Sequence, residues 1–253
     1  MRSPLSGWIG GKYQLSKQII AKIPEHTCYV EGFAGGAWVL FKKPESKVEV
    51  LNDINRDVIT LYRVIQNHLE EYVRYFRWML VSRDEFERMK RVAPDTLTDI
   101  QRAARFYYLQ KCAFGGKIVS PTFGTATQAP PKLNLLRIEE ELSQIHIRLA
   151  RTYLECLNYE QVLTKYDRPD TFYFLDPPYW GTEDYYGKEA FSRDDFRKLK
   201  VILKGLKGRF LLTLNDIPEV RELFMDFQLE GVGVTYSAGL GTKPAKEVMI
   251  SNY

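Results

Sequence analysis

The stretch Thr171 to Trp180, TFYFLDPPYW, is an almost wholly apolar run that delivers Asp176, Pro177, Pro178 and Tyr179 at its carboxyl end. A short apolar run of this kind, rich in aromatics and closed by turn residues, reads as a buried strand. Open α/β sheets bind their ligands beyond the carboxyl ends of such strands. The two prolines remove two backbone donors and restrict φ, which leaves the Pro177 carbonyl as a rigidly aimed acceptor beside the Asp176 carboxylate. Two adjacent acceptors suit an amino group carrying two hydrogens, and Tyr179 offers a flat face on which the ring bearing that group can stack. A strand that simply ends in a Pro-Pro turn also leaves an exposed Asp, but an aromatic directly after D-P-P is much less common in that setting.

Working outward, strand-like runs occur at Thr27 to Val30, Lys47 to Leu51, Arg209 to Leu214, Val232 to Tyr236 and Glu247 to Ser251. Before the run at Arg209 lies SRDDFRKLKVILKGL, with Phe196, Leu199, Ile202 and Leu203 at helical spacing. Strand and helix therefore alternate at both ends of the chain. From Asp57 to about Arg151 the pattern is instead helical, in DVITLYRVIQNHLEEYVRYFRWML, SRDEFERMKRV, DIQRAARFYYLQKCAF and LRIEEELSQIHIRLA, with no strand expected until Thr171. An α/β sheet domain interrupted by a helical insert is the expected architecture. Inside the insert, Gly115 to Asn134 (GGKIVSPTFGTATQAPPKLN) reads as neither helix nor strand, and its basic flanks Lys111, Lys117, Lys132 and Arg137 mark it as a contact loop.

The 253 residues are 45% hydrophobic and 27% charged, with 17 Gly and 12 Pro, the profile of a globular protein rather than a disordered or collagenous one. No apolar stretch has the length of a membrane span or of a signal-peptide core, so the cytosol is the expected compartment. Cys28, Cys112 and Cys156 are scattered and form no CxxC pair, which argues against a disulfide framework or a zinc site; no metal is expected. The net charge is only +4, but residues 61 to 120 carry eleven Lys and Arg against seven Asp and Glu, so the surplus sits in the helical insert, where it can meet phosphates or simply line solvated helix faces.

A second motif is CYVEGFAGGAWVL, a strand ending in Glu31 followed by a Gly-rich turn. Its GxxGGA order is neither the dinucleotide GxGxxG nor a P-loop. Asp53 follows 22 residues after Glu31, in VLNDIN, where a carboxylate can accept both hydroxyl hydrogen bonds of a ribose diol. The same acid is also placed to cap a helix starting at Arg56. A ribose-bearing cofactor without a pyrophosphate fits the pattern.

The blocks GWIGGKYQL, YVEGFAGG, VLNDINRDVITLY, FLDPPYW, LLTLND and KEVMISNY, in that order, resemble the Dam-like D12 class of DNA adenine-N6 methyltransferases from Gly7 to the C-terminus. The resemblance implies a Rossmann-like sheet domain that binds S-adenosylmethionine, residues 1–56 and 157–253, and a helical target-recognition domain, residues 57–156. It implies Trp8, Lys12, Asp53 and Asp176 as cofactor contacts, with Glu31 and Phe33 in the Gly-rich cofactor loop. It further implies double-stranded DNA as partner, a monomer or weak dimer, and chemistry at the Asp176-Pro177-Pro178-Tyr179 block on an adenine flipped out of the helix. Tyr185 and Tyr186 read either as part of a mobile loop closing over that base or as a tyrosine pair packed on the surface. Trp38, Trp78 and Trp180 read as core or rim aromatics. Family members that read GATC carry an arginine shortly after a Tyr-Asn-Gly run, whereas this chain has CAFGGKIVSPTFG, with Lys117 as the nearest cation. Methylation of RNA adenine or of cytosine N4, and a non-catalytic nucleic-acid binder on the same fold, are the rival readings.

Overall fold

The computed structural model describes every residue except 9, 117–118, 126–127, 129, 183–190 and 239–240; at 235–238 and 241–244 it describes the backbone. The chain divides into two units: Tyr13–Ala34, Lys43–Ile54 and Glu155–Tyr253 in one, Met1–Lys12, Gly35–Lys42 and Asn55–Leu154 in the other.

The first unit is built on a sheet. Strands β1 (Cys28–Glu31), β2 (Val48–Asn52), β4 (Thr171–Leu175), β5 (Arg209–Asn215), β6 (Gln228–Ala238) and β7 (Gly241–Ser251) run in the order β2-β1-β4-β5-β7-β6, while Thr152–Leu154 of β3 (Thr152–Glu155) fall in the other unit. β1 is parallel to both β2 and β4, β4 is parallel to β5, and β7 is antiparallel to β5 and β6. This is a Rossmann-like α/β sheet. β4 is buried along its whole length, and Phe172, Tyr173 and Leu175 have no solvent exposure, which is why its sequence reads as unbroken apolar rather than alternating.

The helices of this unit are α1 (Ser16–Lys22), α8 (Tyr159–Lys165), α9 (Arg193–Gly205) and α10 (Pro218–Leu223), and α9 lays Phe196, Leu199 and Leu203 onto the core shared with Tyr173, Leu175, Phe210, Leu212 and Ile250. Its start is fixed by a capping box: the Ser192 N–H and hydroxyl both donate to Asp195, at 2.8 and 2.6 Å. Two features depart from the expectation. β3 is a strand inside the stretch read as wholly helical; it is four residues long and leaves Tyr153 exposed, so it has no apolar run to announce it. β6 and β7 form a hairpin of eleven residues per strand, much longer than the five-residue cores read from sequence, because Gly231, Gly233 and Pro244 lie within the ladder.

The second unit is helical. It comprises α2 (Trp38–Lys42), α3 (Arg56–Asn67), α4 (Leu69–Phe76), α5 (Arg83–Arg91), α6 (Asp99–Cys112) and α7 (Ile138–Leu149). Thr98 and Gln101 form a reciprocal capping box at the head of α6. Tyr72, Phe76 and Tyr107 pack edge to face at the centre, their rings 5.2 to 6.3 Å apart. Residues 77–80, read as a continuation of α4, lie beyond its end, with Trp78 84% exposed and the Arg77 guanidinium over its ring. The segment after α6 folds back on itself: Phe114 N–H donates to the Thr122 carbonyl and Gly124 N–H to the Cys112 carbonyl, both at 2.8 Å.

Candidate active site

In the sheet, the order of strands reverses between β1 and β4, because β1 is followed outward by β2 on one side and β4 by β5 on the other. Such a switch point opens a crevice at the carboxyl ends of the two strands. Register places the sequence-predicted residues there. Glu31 lies opposite Leu51 on β2 and Phe174 on β4, and Phe174 lies opposite Leu211 on β5. Two residues further along each chain come Phe33, Asp53, Asp176 and Thr213. The four side chains thus leave neighbouring strands at one level, at the switch point.

Each is held differently. Glu31 is buried and accepts a hydrogen bond from the Tyr29 hydroxyl at 2.8 Å. Phe33 is half-buried, stacked on Tyr159 and edge-on to Phe191. Asp53 is half-buried beyond β2, its N–H donating to the Glu155 carbonyl. It is not the cap of α3: that position belongs to Asn55, whose side chain accepts from the Asp57 N–H at 2.9 Å. Asn52, next to Asp53 and passed over by sequence reasoning, is buried and ties the turn together. The Asn52 amide donates to the Gly32 and Leu157 carbonyls at 2.9 and 3.0 Å and accepts from the Leu157 N–H at 2.9 Å.

Asp176 is half-buried, and its Oδ1 accepts a 2.8 Å hydrogen bond from the hydroxyl of Thr213, a residue with no solvent exposure. Pro177 and Pro178 are buried, and among the described residues nothing donates to the Pro177 carbonyl. Tyr179 and Trp180 are half-buried against the sheet core. Asn215 closes the segment from the other side, accepting from the Trp180 N–H and donating to the Trp180 carbonyl, both at 3.0 Å. Tyr185 and Tyr186 lie outside the described residues.

In the helical unit, the Gly-rich turn wraps an indole. Gly35 has φ +43°, and a Cβ placed on it would stand 2.6 Å from Trp8 Nε1. Ala37, with φ +48°, is also left-handed, a strained conformation for a residue with a side chain. Lys12 is buried, its Nζ donating to the Gly10 carbonyl at 2.9 Å.

The predicted nucleic-acid cations separate. Lys111 and Lys132 line a cleft of about 230 Å³ together with Arg2, Ser6, Gly7 and Gln110. Lys111 Nζ donates to the Ser6 hydroxyl at 3.0 Å and lies 5.1 Å above the Tyr107 ring. Burial pulls the Lys111 ammonium below the ordinary lysine value; Glu141 opposes this, while Lys132 and Arg2 push the same way. Arg137 is exposed and paired with Glu140 at 3.2 Å. Lys117 lies outside the described residues. Arg2, Ser6 and Gln110 carry no signal in the sequence, being about a hundred residues from Lys111 or without charge. Among the described residues there is no cluster of three or more His, Cys, Asp or Glu able to hold a metal ion, and no helix long and apolar enough to cross a membrane.

A Rossmann-like sheet with acidic side chains and a D-P-P-Y block at its switch point is the arrangement of an α/β ligand-binding fold. Residues 8–238 match the family model described as D12 class N6 adenine-specific DNA methyltransferase, and the chain belongs to that family. It is similar to the Type II methyltransferase M.CviBI of Paramecium bursaria Chlorella virus NC1A, 25% identical over 87% of this chain and 86% of that protein. It is also similar to the DNA adenine methylase of Escherichia coli strain K12, 25% identical over 97% of this chain and 93% of that one. Among solved structures, an rRNA methylase from Streptococcus thermophilus aligns over 96% of this chain and 98% of its own, at 12% identity and a TM-score of 0.42. The reaction is accordingly methyl transfer from S-adenosylmethionine to N6 of adenine in DNA.

Proposed function

We propose that the chain methylates an adenine extruded from duplex DNA, with Asp176 and the Pro177 carbonyl receiving the two N6 hydrogens and Tyr179 stacking on the base. The observation that carries this reading is Asp176 itself, half-buried at the carboxyl end of β4 with one oxygen held by Thr213, next to a carbonyl on which nothing described donates. When bound, the donor supplies a methyl group activated by its sulfonium.

The residues present suit that donor. Asp53 and Phe33 stand at the same level of the sheet as Asp176, the one an acceptor for a ribose diol, the other an aromatic surface. Glu31 belongs to the same turn. Trp8 and Lys12, from the W-x-x-x-K block, complete the proposed contacts. The adenine amino nitrogen is a poor nucleophile because its lone pair is delocalised into the ring. Hydrogen bonds from N6 to Asp176 and to the Pro177 carbonyl favour a pyramidal nitrogen, and they strengthen as positive charge develops on it, so they lower the barrier rather than merely the ground state. A carboxylate is too weak a base to deprotonate the neutral amine. Asp176 therefore takes the proton only after transfer, when the nitrogen has become acidic.

N6 cannot reach a half-buried carboxylate while stacked in a helix, so the base is flipped at a cost of a few kcal/mol, offset by stacking and phosphate contacts. Lys111 and Lys132, with Arg2, are the proposed phosphate contacts, and Lys117 and Arg137 lie on the same recognition segment. Methyl transfer from labelled donor to duplex DNA, single-stranded DNA and structured RNA tests this. Methylated adenine in the duplex is expected, and preference for RNA or for cytosine overturns it.

A further inference from the structure

Resting on that reading, we propose that Thr213 is a positioning residue for the methyl transfer: its hydroxyl fixes the plane of the Asp176 carboxylate so that Oδ2 faces the adenine amino group. Asn215 performs the matching task at the other end of the D-P-P-Y segment.

The terminal torsion of an aspartate is broad, so a carboxylate on a strand end is not aimed by its own rotamer. Something else must aim it. Thr213 lies on β5, the neighbour of β4, at the position opposite Asp176 when the Phe174–Leu211 and Leu175–Leu212 pairs are continued by one residue. Its hydroxyl has one hydrogen and two acceptors within reach, Asp176 Oδ1 at 2.8 Å and the Leu175 carbonyl at 3.4 Å. The shorter, charge-assisted bond takes the proton. Thr213 has no solvent exposure, so bulk water does not compete for its hydroxyl. Its own place is set by the sheet, where it pairs with Met249 on β7.

Two residues on, and therefore on the same face of β5, Asn215 exchanges both hydrogen bonds with the Trp180 backbone. Asp176 and Trp180 are thus both anchored to one strand, and Pro177, Pro178 and Tyr179 are suspended between them. An amino group that must meet two acceptors at once needs their spacing held. The β5 pair supplies that rigidity from outside the reacting block.

Steady-state kinetics of Thr213→Val, Thr213→Ser and Thr213→Ala on duplex DNA test the assignment. Valine keeps the shape and removes the donor; kcat is expected to fall on the order of 10- to 100-fold, as for a small misplacement of a reacting group, with KM for DNA within about twofold. Serine is expected to restore kcat to within about threefold. Wild-type kcat in the valine variant overturns the proposal, as does a serine variant as slow as valine, which would assign the effect to the lost methyl contacts. Should valine fail to fold, the serine and alanine pair decides in the same way, serine active and alanine slow. Failure of the wild-type protein to methylate adenine would instead sink the proposed function, so the two failures are distinguishable.

Discussion

Replacing Gly35 by alanine tests the packing of the Gly-rich turn on Trp8, and its cost follows from the geometry. Gly35 sits at φ +43°, a left-handed conformation that costs an L-residue about 1–2 kcal/mol. The new Cβ would stand 2.6 Å from Trp8 Nε1, closer than such atoms approach, and a tight 3.2 Å from Cδ1 and Cε2, so the indole must move. Overpacking of this kind costs about 1–3 kcal/mol. Loss of glycine's freedom in the unfolded chain returns about 0.4–1 kcal/mol. The net destabilisation is about 2–4 kcal/mol, or on the order of 5–15 °C in Tm for a chain of this size.

Gly36→Ala is the control, because its φ is not positive and the added Cβ meets Trp38 and Trp8 atoms only at 3.3 to 3.4 Å; a change within about 1 kcal/mol is expected. Urea denaturation of both variants gives the comparison. A double variant separates the two contributions: with Trp8→Ala in the background, Gly35→Ala should retain only the backbone cost, a coupling of about 1–3 kcal/mol between neighbours. Equal stability of Gly35→Ala and Gly36→Ala, or strict additivity with Trp8→Ala, would refute the account of this turn.

Other outcomes follow from other contacts. Asn52→Leu removes the three hydrogen bonds of a buried side chain, one of them buried and two part-buried, and strands the Gly32 and Leu157 backbone groups, so a loss of about 2–4 kcal/mol is expected in equilibrium unfolding. Lys111→Gln should weaken DNA binding across all sequences and reduce the slope of log K against log salt by about 1, whereas Arg137→Gln, already paired with Glu140, should change it less. Asp226 is held down to about 2 by hydrogen bonds from Lys200 and Lys204. Its folded value lies below the ordinary 3.8, so its contribution to stability is present above that pH and lost as pH falls toward 2. Asp226→Asn should flatten the acid limb of the stability profile between pH 4 and 2, as read by thermal melts.

How far the sequence could be read depended on whether a residue's role left a local pattern. β4 was bounded at Thr171–Leu175 from its apolar run alone, because both of its faces are buried. The helical spacing of Phe196, Leu199 and Leu203 likewise matched the buried face of α9. β3 was missed because a short strand with an exposed Tyr153 offers no hydrophobic period. The ends of β6 and β7 were missed because glycine and proline, which ordinarily mark turns, here sit inside a hairpin. At the site, Asp176 and the prolines announced themselves by chemistry, whereas Thr213 in LLTLND looks like any β-branched residue of a strand. Its role exists only through the pairing of β4 with β5. The cleft around Lys111 was half legible: its lysines stood out as charge, but Arg2, Ser6 and Gln110 join it only through the fold.

The most direct trial of the central claim is nucleoside analysis of duplex DNA treated with labelled donor and either the wild-type chain or Asp176→Ala. Label in N6-methyldeoxyadenosine with the wild-type chain, and its loss by at least about a thousandfold in a variant that still melts cooperatively, is the expected pair of results for a group whose hydrogen bond forms in the transition state. Label on cytosine, or undiminished adenine methylation without the carboxylate, would contradict it.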